Sequence, residues 1–235
     1  MNWSKKAILK IGHRGASGYE PENTLRSLEK ALVLGVDMIE FDVHICKSGE
    51  VVVIHDGKVN RTTHSKGFVR DKTLDELKKL DAGKGEKIPT LEEVLDFVNH
   101  RVAVNIELKG EKTTKPVYAI IKKYIENRNW SYKDFLVSSF DDSKLREIRK
   151  LDSKIEIGLL PKRTKTHIVS MISELSAYSV HCSYKSKGLL NKNFIELLHK
   201  QGVKIFAWTV NDKKNIERLK ILGVDGIFSD YPDML

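Results

Sequence analysis

The chain has 235 residues, 40% hydrophobic and 31% charged, the balance of a globular protein with an ordinary core. No apolar run approaches the roughly 20 residues that a membrane-spanning helix requires. Lys and Arg number 41 against 32 Asp and Glu, a formal charge of +9. The excess is scattered in short clusters such as Lys162-Arg163 and Lys213-Lys214. That pattern reads as solvated helix faces, so no nucleic-acid partner is expected, although a positive field still draws in anionic substrates. Cys46 and Cys182 form no CxxC and read as free thiols of a reduced compartment. Ala7-Ile8-Leu9 is too short for a signal-peptide core. The expectation is a cytoplasmic protein with no stable membrane insertion, its oligomeric state open.

In chain order, β-rich apolar runs are predicted at 8–12, 38–44, 102–108, 135–139, 155–160, 179–182, 204–210 and 226–229. Helical patterns lie between them, such as 24–34, 91–99, 115–127, 142–151, 193–200 and 213–222. About eight strand–helix units predict an α/β fold of the (β/α)8 TIM-barrel type. A weak repeat agrees: Leu34-Gly35-Val36-Asp37, Gln201-Gly202-Val203-Lys204 and Leu222-Gly223-Val224-Asp225 each lead into a strand. Glycine there suits the left-handed residue that ends a helix.

The rhythm breaks after the second strand. A further β-like run at 51–54 precedes a polar stretch at 56–89 that carries a short helical pattern at 74–80. The segment at about 45–89 therefore reads as a small insertion over the C-terminal mouth of the barrel, where active sites sit. No second domain with its own core, linker or low-complexity tract is indicated, so residues 1–235 read as a single domain.

Acids and histidines fall at strand ends. Residues two apart share a side of a strand, which pairs Glu40 with Asp42 and Asn105 with Glu107, with Lys109 continuing the phase. His13 follows the first strand and His55 the inserted run. Three carboxylates converging at one mouth repel by about 3 kcal/mol per pair at 5 Å. A hard cation such as Mg²⁺ or Ca²⁺ would relieve that; separate salt bridges with the abundant lysines would do so as well. Two histidines beside such a site can divide acid and base work. Arg14 and Lys109 can grip a phosphate, one by its fork and the other as a point charge. His44 shares phase with Glu40 and Asp42 and reads as supporting them at most.

His13-Arg14-Gly15, Pro21-Glu22-Asn23-Thr24, Glu40-Phe41-Asp42-Val43, Val53-Ile54-His55-Asp56 and Asn105-Ile106-Glu107-Leu108-Lys109 follow one another in the chain. Together with Ile88-Pro89-Thr90-Leu91, Ser138-Ser139-Phe140 and Ala207-Trp208-Thr209-Val210-Asn211, this ordered set closely resembles the glycerophosphodiester phosphodiesterase family. The resemblance covers essentially the whole chain. It implies a β/α barrel that hydrolyses deacylated phospholipids to sn-glycerol 3-phosphate and an alcohol. Glu40, Asp42 and Glu107 would bind the divalent metal, His13 and His55 would be the acid–base pair, and Arg14 and Lys109 would hold the phosphate. Trp208 would line the pocket beside the glycerol. The nucleophile would be the glycerol 2-hydroxyl or water.

Lys47-Ser48-Gly49 departs from a Lys-Asp-Gly turn common in the family, but serine also favours turns. Asn23 and Thr24 stand where the first helix starts and read as caps. Two competing readings remain: a related lysophospholipase D or sphingomyelinase D type of barrel, and a non-catalytic barrel that binds polyanions.

Overall fold

The computed structural model describes residues 8–162, 164–186 and 188–235. Nine strands alternate with eight helices: β1 Leu9–His13, α1 Leu25–Val33, β2 Met38–Ile45, β3 Val51–Val53, α2 Leu74–Lys79, α3 Leu91–Val98, β4 Ala103–Leu108, α4 Thr114–Asn127, β5 Phe135–Ser139, α5 Asp142–Leu151, β6 Glu156–Leu159, α6 Lys165–Leu175, β7 Ser179–Ser183, α7 Lys192–Lys200, β8 Lys204–Trp208, α8 Lys213–Leu222 and β9 Gly226–Ser229. Eight strands pair in parallel, and β1 bonds both β2 and β9, which closes the barrel. The fold is the expected TIM barrel.

The repeated glycine turn is used three times. Gly35, Gly202 and Gly223 have φ of 72°, 73° and 83°, values at which a Cβ is costly. The valine after each glycine donates its amide back into the helix, to Ala31, Leu198 and Leu219, and is buried. In two of the turns the aspartate that follows accepts from the backbone of an adjoining strand. Asp37 takes the Lys10 amide at 3.0 Å and Asp225 the Ile205 amide at 2.9 Å. Each such turn stops a helix, buries a side chain and satisfies a strand amide at the N-terminal end of the barrel.

The barrel interior is layered. Leu9, Ile11, Met38, Ala103, Leu136, Phe206 and Phe228 form an apolar plug at the N-terminal end. One step further along the same strand faces stand His13, Glu40, Asn105, Ser138, His181 and Trp208. The register sets the polar layer: His13 lies opposite Glu40, Glu40 opposite Asn105, and Asp42 opposite Glu107. Alternate residues such as Ile39, Phe41, Val104, Ile106 and Val137 point outward into the core beneath the helices.

The insertion begins on the barrel wall. Strand β3 pairs antiparallel with the end of β2, Val43 facing Val53. Its polar sequence conceals a small apolar cluster of Cys46, Val52, Ile54, Val59, Val69, Leu77, Ala82 and Ile88. Helix α2 is fixed by a capping box, with Thr73 accepting from Glu76 and Glu76 reaching back to Thr73. The insertion thus has a small core of its own beside the mouth; Cys46 within it and Cys182 on β7 are both buried and in no disulfide.

Candidate active site

Loops at the C-terminal ends of the strands surround a cavity of about 110 Å³ lined by His13, Arg14, Glu40, His55, Asn105, Glu107, Lys109, Phe140, His181 and Trp208 among others. Seven of the eight residues singled out from the sequence line it; the eighth, Asp42, lies beneath.

Glu40, Asp42 and Glu107 offer carboxylate oxygens within 4.8 Å of one another. Burial, then the charges of Asp42 and Glu107, pushes the Glu40 carboxyl well above its ordinary range. Burial and Asp42 push Glu107 to about 7, against the pull of Lys109. Lys109 Nζ lies 3.0 Å from Glu107 and 3.7 Å from Asp42. Arg14 donates its backbone amide to Glu40 at 2.9 Å, and its Nε lies 3.4 Å from Asp42. Three buried carboxylates therefore face two cations, one charge short of neutrality. A divalent cation fits this set. All donors are hard oxygens, and the buried Asn105 Oδ1, beside Glu40 in register, has no hydrogen-bond partner of its own.

The turn after β1 presents Arg14. Arg14 itself sits at φ 52° and Gly15 at φ 86°. A Cβ on Gly15 would fall 2.4–2.7 Å from Ser27, so only glycine lets helix α1 pack this close. Thr24 is the expected cap of α1, accepting from the Ser27 amide. Asn23 is not a cap. It adopts φ 58°, donates Nδ2 to Asp42 at 3.0 Å and accepts the Asp42 amide at 3.3 Å, which orients a carboxylate of the cluster.

Each histidine has its own aspartate. His13 Nδ1 lies 2.6 Å from Asp230 Oδ1 and His55 Nδ1 lies 2.6 Å from Asp56 Oδ1, so Nε2 is left for proton transfer in both rings. Burial works to raise the Asp230 carboxyl, but His13, Ser17 and Asn211 outweigh it and hold the group at about 2. Asp56 is held by Arg61, whose Nε donates to it at 2.8 Å. Arg61 also grips Glu22 with both terminal nitrogens, at 2.6 and 2.8 Å, and Glu22 accepts from Arg14 at 2.8 Å. A continuous ionic chain thus links His55 to Arg14 through the insertion. His44 makes no hydrogen bond to Glu40 or Asp42, the pair it was expected to support at most; its Nε2 lies 3.1 Å from the His55 carbonyl oxygen.

Opposite stands an apolar wall. Trp208 packs edge-on to Phe140 at 5.8 Å and donates Nε1 to the His181 carbonyl at 2.9 Å. His181 is fully buried between Phe206 and Phe228 and accepts or donates at Ser179. Burial lowers its pKa to about 3, so the ring is neutral.

Asp230 and Arg61 escaped the sequence reading, which also assigned Asn23 to a cap and not to Asp42. Asp230 immediately follows the last strand, the position from which barrel loops reach the mouth, and that placement was the available signal. Arg61 lies in a polar loop where several cations look alike.

Residues 13–234 match the model of the glycerophosphoryl diester phosphodiesterase family. The chain belongs to this family. It is accordingly an enzyme of the phosphoric diester hydrolase class. A glycerophosphodiester phosphodiesterase of Caldanaerobacter subterraneus is 40% identical, with 97% of this chain and 96% of that protein covered. One of Bacillus altitudinis is 39% identical over 95% of this chain and 94% of its own. Among solved structures, a phosphodiesterase of Oleispira antarctica in complex with the product sn-glycerol-3-phosphate superposes with a TM-score of 0.86 at 31% identity, covering 95% of this chain and 93% of that one. No helix among the described residues is long and apolar enough to cross a membrane.

Proposed function

We propose that the whole chain acts as one barrel domain that hydrolyses glycerophosphodiesters to sn-glycerol 3-phosphate and an alcohol, using Mg²⁺ or Ca²⁺ at Glu40, Asp42 and Glu107 and the pair His13 and His55 for proton transfer. The observation that carries this reading is the pair of aspartate-held histidines on a cavity lined by Glu40 and Glu107, with Asp42 of the same carboxylate cluster beneath.

A divalent ion at the three carboxylates would polarise a phosphoryl oxygen and neutralise charge as it develops. Arg14 and Lys109 add fixed positive charge around the phosphate, Arg14 being locked by Glu22 and Asp42 before substrate arrives. The glycerol end lies against Trp208. His13, oriented by Asp230, takes the proton from the glycerol 2-hydroxyl as its oxygen forms a bond to phosphorus. His55 gives a proton to the departing alcohol oxygen as its bond to phosphorus breaks. Water then opens the cyclic phosphate with the two roles reversed. Burial lowers the pKa of His55, which makes its protonated form a stronger acid for the leaving oxygen.

The test is release of glycerol 3-phosphate from glycerophosphocholine and glycerophosphoethanolamine, after stripping with chelator and re-addition of Mg²⁺ or Ca²⁺. Activity is expected to vanish with chelator and to return with one of the ions. Full activity in excess chelator would remove the ion from the scheme.

A further inference from the structure

A second cavity, of about 440 Å³, adjoins the first. It is lined by His44, Cys46, Lys47, Gly57, Phe68, Arg70, Lys109, Gly110, Glu111 and Lys112 among others. Lys109 lines both cavities. A shallow depression lined by His55, Asp56, Lys58, Arg61 and Phe68 completes the link on the insertion side. The groove therefore begins where the phosphate is gripped and runs outward between the insertion and the loop after β4.

Its charge is unusual. Lys47, Lys58, Arg70 and Lys112 have no carboxylate within ion-pair distance among the described residues, whereas Arg14, Arg61 and Lys109 beside them are each paired. Lys58 Nζ and the Arg70 guanidinium both lie 4.7 Å from the ring of Phe68, which is 38% exposed. Two like charges are thus gathered on one aromatic ring; of the two acidic side chains that line the groove, Asp56 is already bonded to His55 and Arg61, which leaves Glu111. Cation–π contact holds them there, but it supplies no counter-charge. A ligand anion would.

The direction of the groove says which part of a substrate reaches it. In-line displacement puts the leaving oxygen opposite the attacking one. With glycerol against Trp208 on β8, the leaving alcohol must exit past His55 and Lys109, on the side of β2 and β4, and so into the groove.

We infer that the groove formed by Lys47, Lys58, Arg70, Lys112 and Phe68 is a subsite for the leaving alcohol, selecting alcohols that bear a phosphate of their own. The inference rests on the proposed function. With Arg61 and Asp56 paired to each other and Lys109 paired to Glu107, four unpaired cations face Glu111; that balance matches a phosphate dianion better than a carboxylate or a neutral polyol, and a cationic head group such as choline is disfavoured. Specificity is then set by the outer insertion and the loop after β4, beyond the residues that carry the chemistry.

The test compares kcat/KM for glycerophosphoinositol 4-phosphate, glycerophosphoinositol and glycerophosphocholine at low salt. The phosphorylated substrate is expected to exceed glycerophosphoinositol by at least tenfold, with the ratio shrinking as salt screens the groove. In the Lys47→Gln/Arg70→Gln double variant the ratio should fall below about threefold, whereas Lys47→Arg/Arg70→Lys should keep it. Equal turnover of the two inositol substrates by the unaltered enzyme, or the same ratio in both double variants, overturns the assignment. If no diester is hydrolysed with either ion, the proposed function itself falls; turnover of all three without preference removes the subsite alone.

Discussion

Replacing Glu107 with Gln should raise the melting temperature of the ion-free protein and abolish its response to divalent cation. Glu107 is raised to about 7 in the folded chain from an ordinary value of 4.5. Between those values the unfolded chain has lost its proton while the folded chain keeps it, so stability falls as pH rises and the deficit is complete above pH 7. At 1.36 kcal/mol per unit the deficit is on the order of 3 kcal/mol. A chain of 235 residues unfolds with an entropy near 0.5 kcal/mol/K, so removing the charge at pH 8 should raise Tm by roughly 6 °C. The unaltered protein should instead gain roughly 5 °C from a divalent ion at a hundred times its Kd, an increment of about 2.7 kcal/mol. In the variant that increment should disappear, because two carboxylates remain against two cations. Differential scanning calorimetry in chelator, then with Mg²⁺ or Ca²⁺, measures both effects. A variant that melts below the parent in chelator, or a parent indifferent to both ions, would refute the reasoning.

His13→Ala and His55→Ala should each lower kcat by on the order of 10²–10⁴, read from glycerol 3-phosphate release with ion present; a fully active His55→Ala would end the two-histidine scheme. Asp230→Asn removes the group that orients His13 and should cost 10–100-fold in kcat while displacing the pH–rate profile. Because the folded Asp230 carboxyl is held at about 2, its stabilisation is present above about pH 4 and is lost as pH falls towards 2. Asp230→Asn should therefore flatten acid unfolding in that window. Arg61→Ala breaks the link between Asp56 and Glu22 and should lower kcat by 10–100-fold, with Arg61→Lys recovering only part because one ammonium cannot reproduce the fork.

The strands were legible because both faces of a parallel barrel wall are covered, so each wrote a short apolar run bounded by turn residues. The polar positions within those runs were equally visible, since Glu40, Asp42, Asn105 and Glu107 interrupt them in phase. Helix α6 is the element the pattern shows least plainly. Ile168, Met171, Ile172 and Leu175 do recur at helical spacing, but Thr166, Ile168, Val169 and Ile172 are β-branched and dilute the signal. The insertion reads as polar because its eight buried residues are scattered over more than forty positions with no period. The partners of the two histidines divide by distance. Asp56 is the neighbour of His55 and stood within a visible motif, whereas Asp230 reaches His13 across 217 positions, and only barrel closure brings them together.

That closure has a consequence for biosynthesis. Strand β1 pairs with β2 on one edge and β9 on the other. At 5–20 residues per second, roughly 10–45 seconds separate the synthesis of His13 from that of Asp230. Throughout that interval β1 has an unpaired edge, and an unpaired edge is a template for other chains. The nascent chain is therefore most exposed to mispairing just before it can work, because the strand that seals the wall is followed at once by the carboxylate that orients the base.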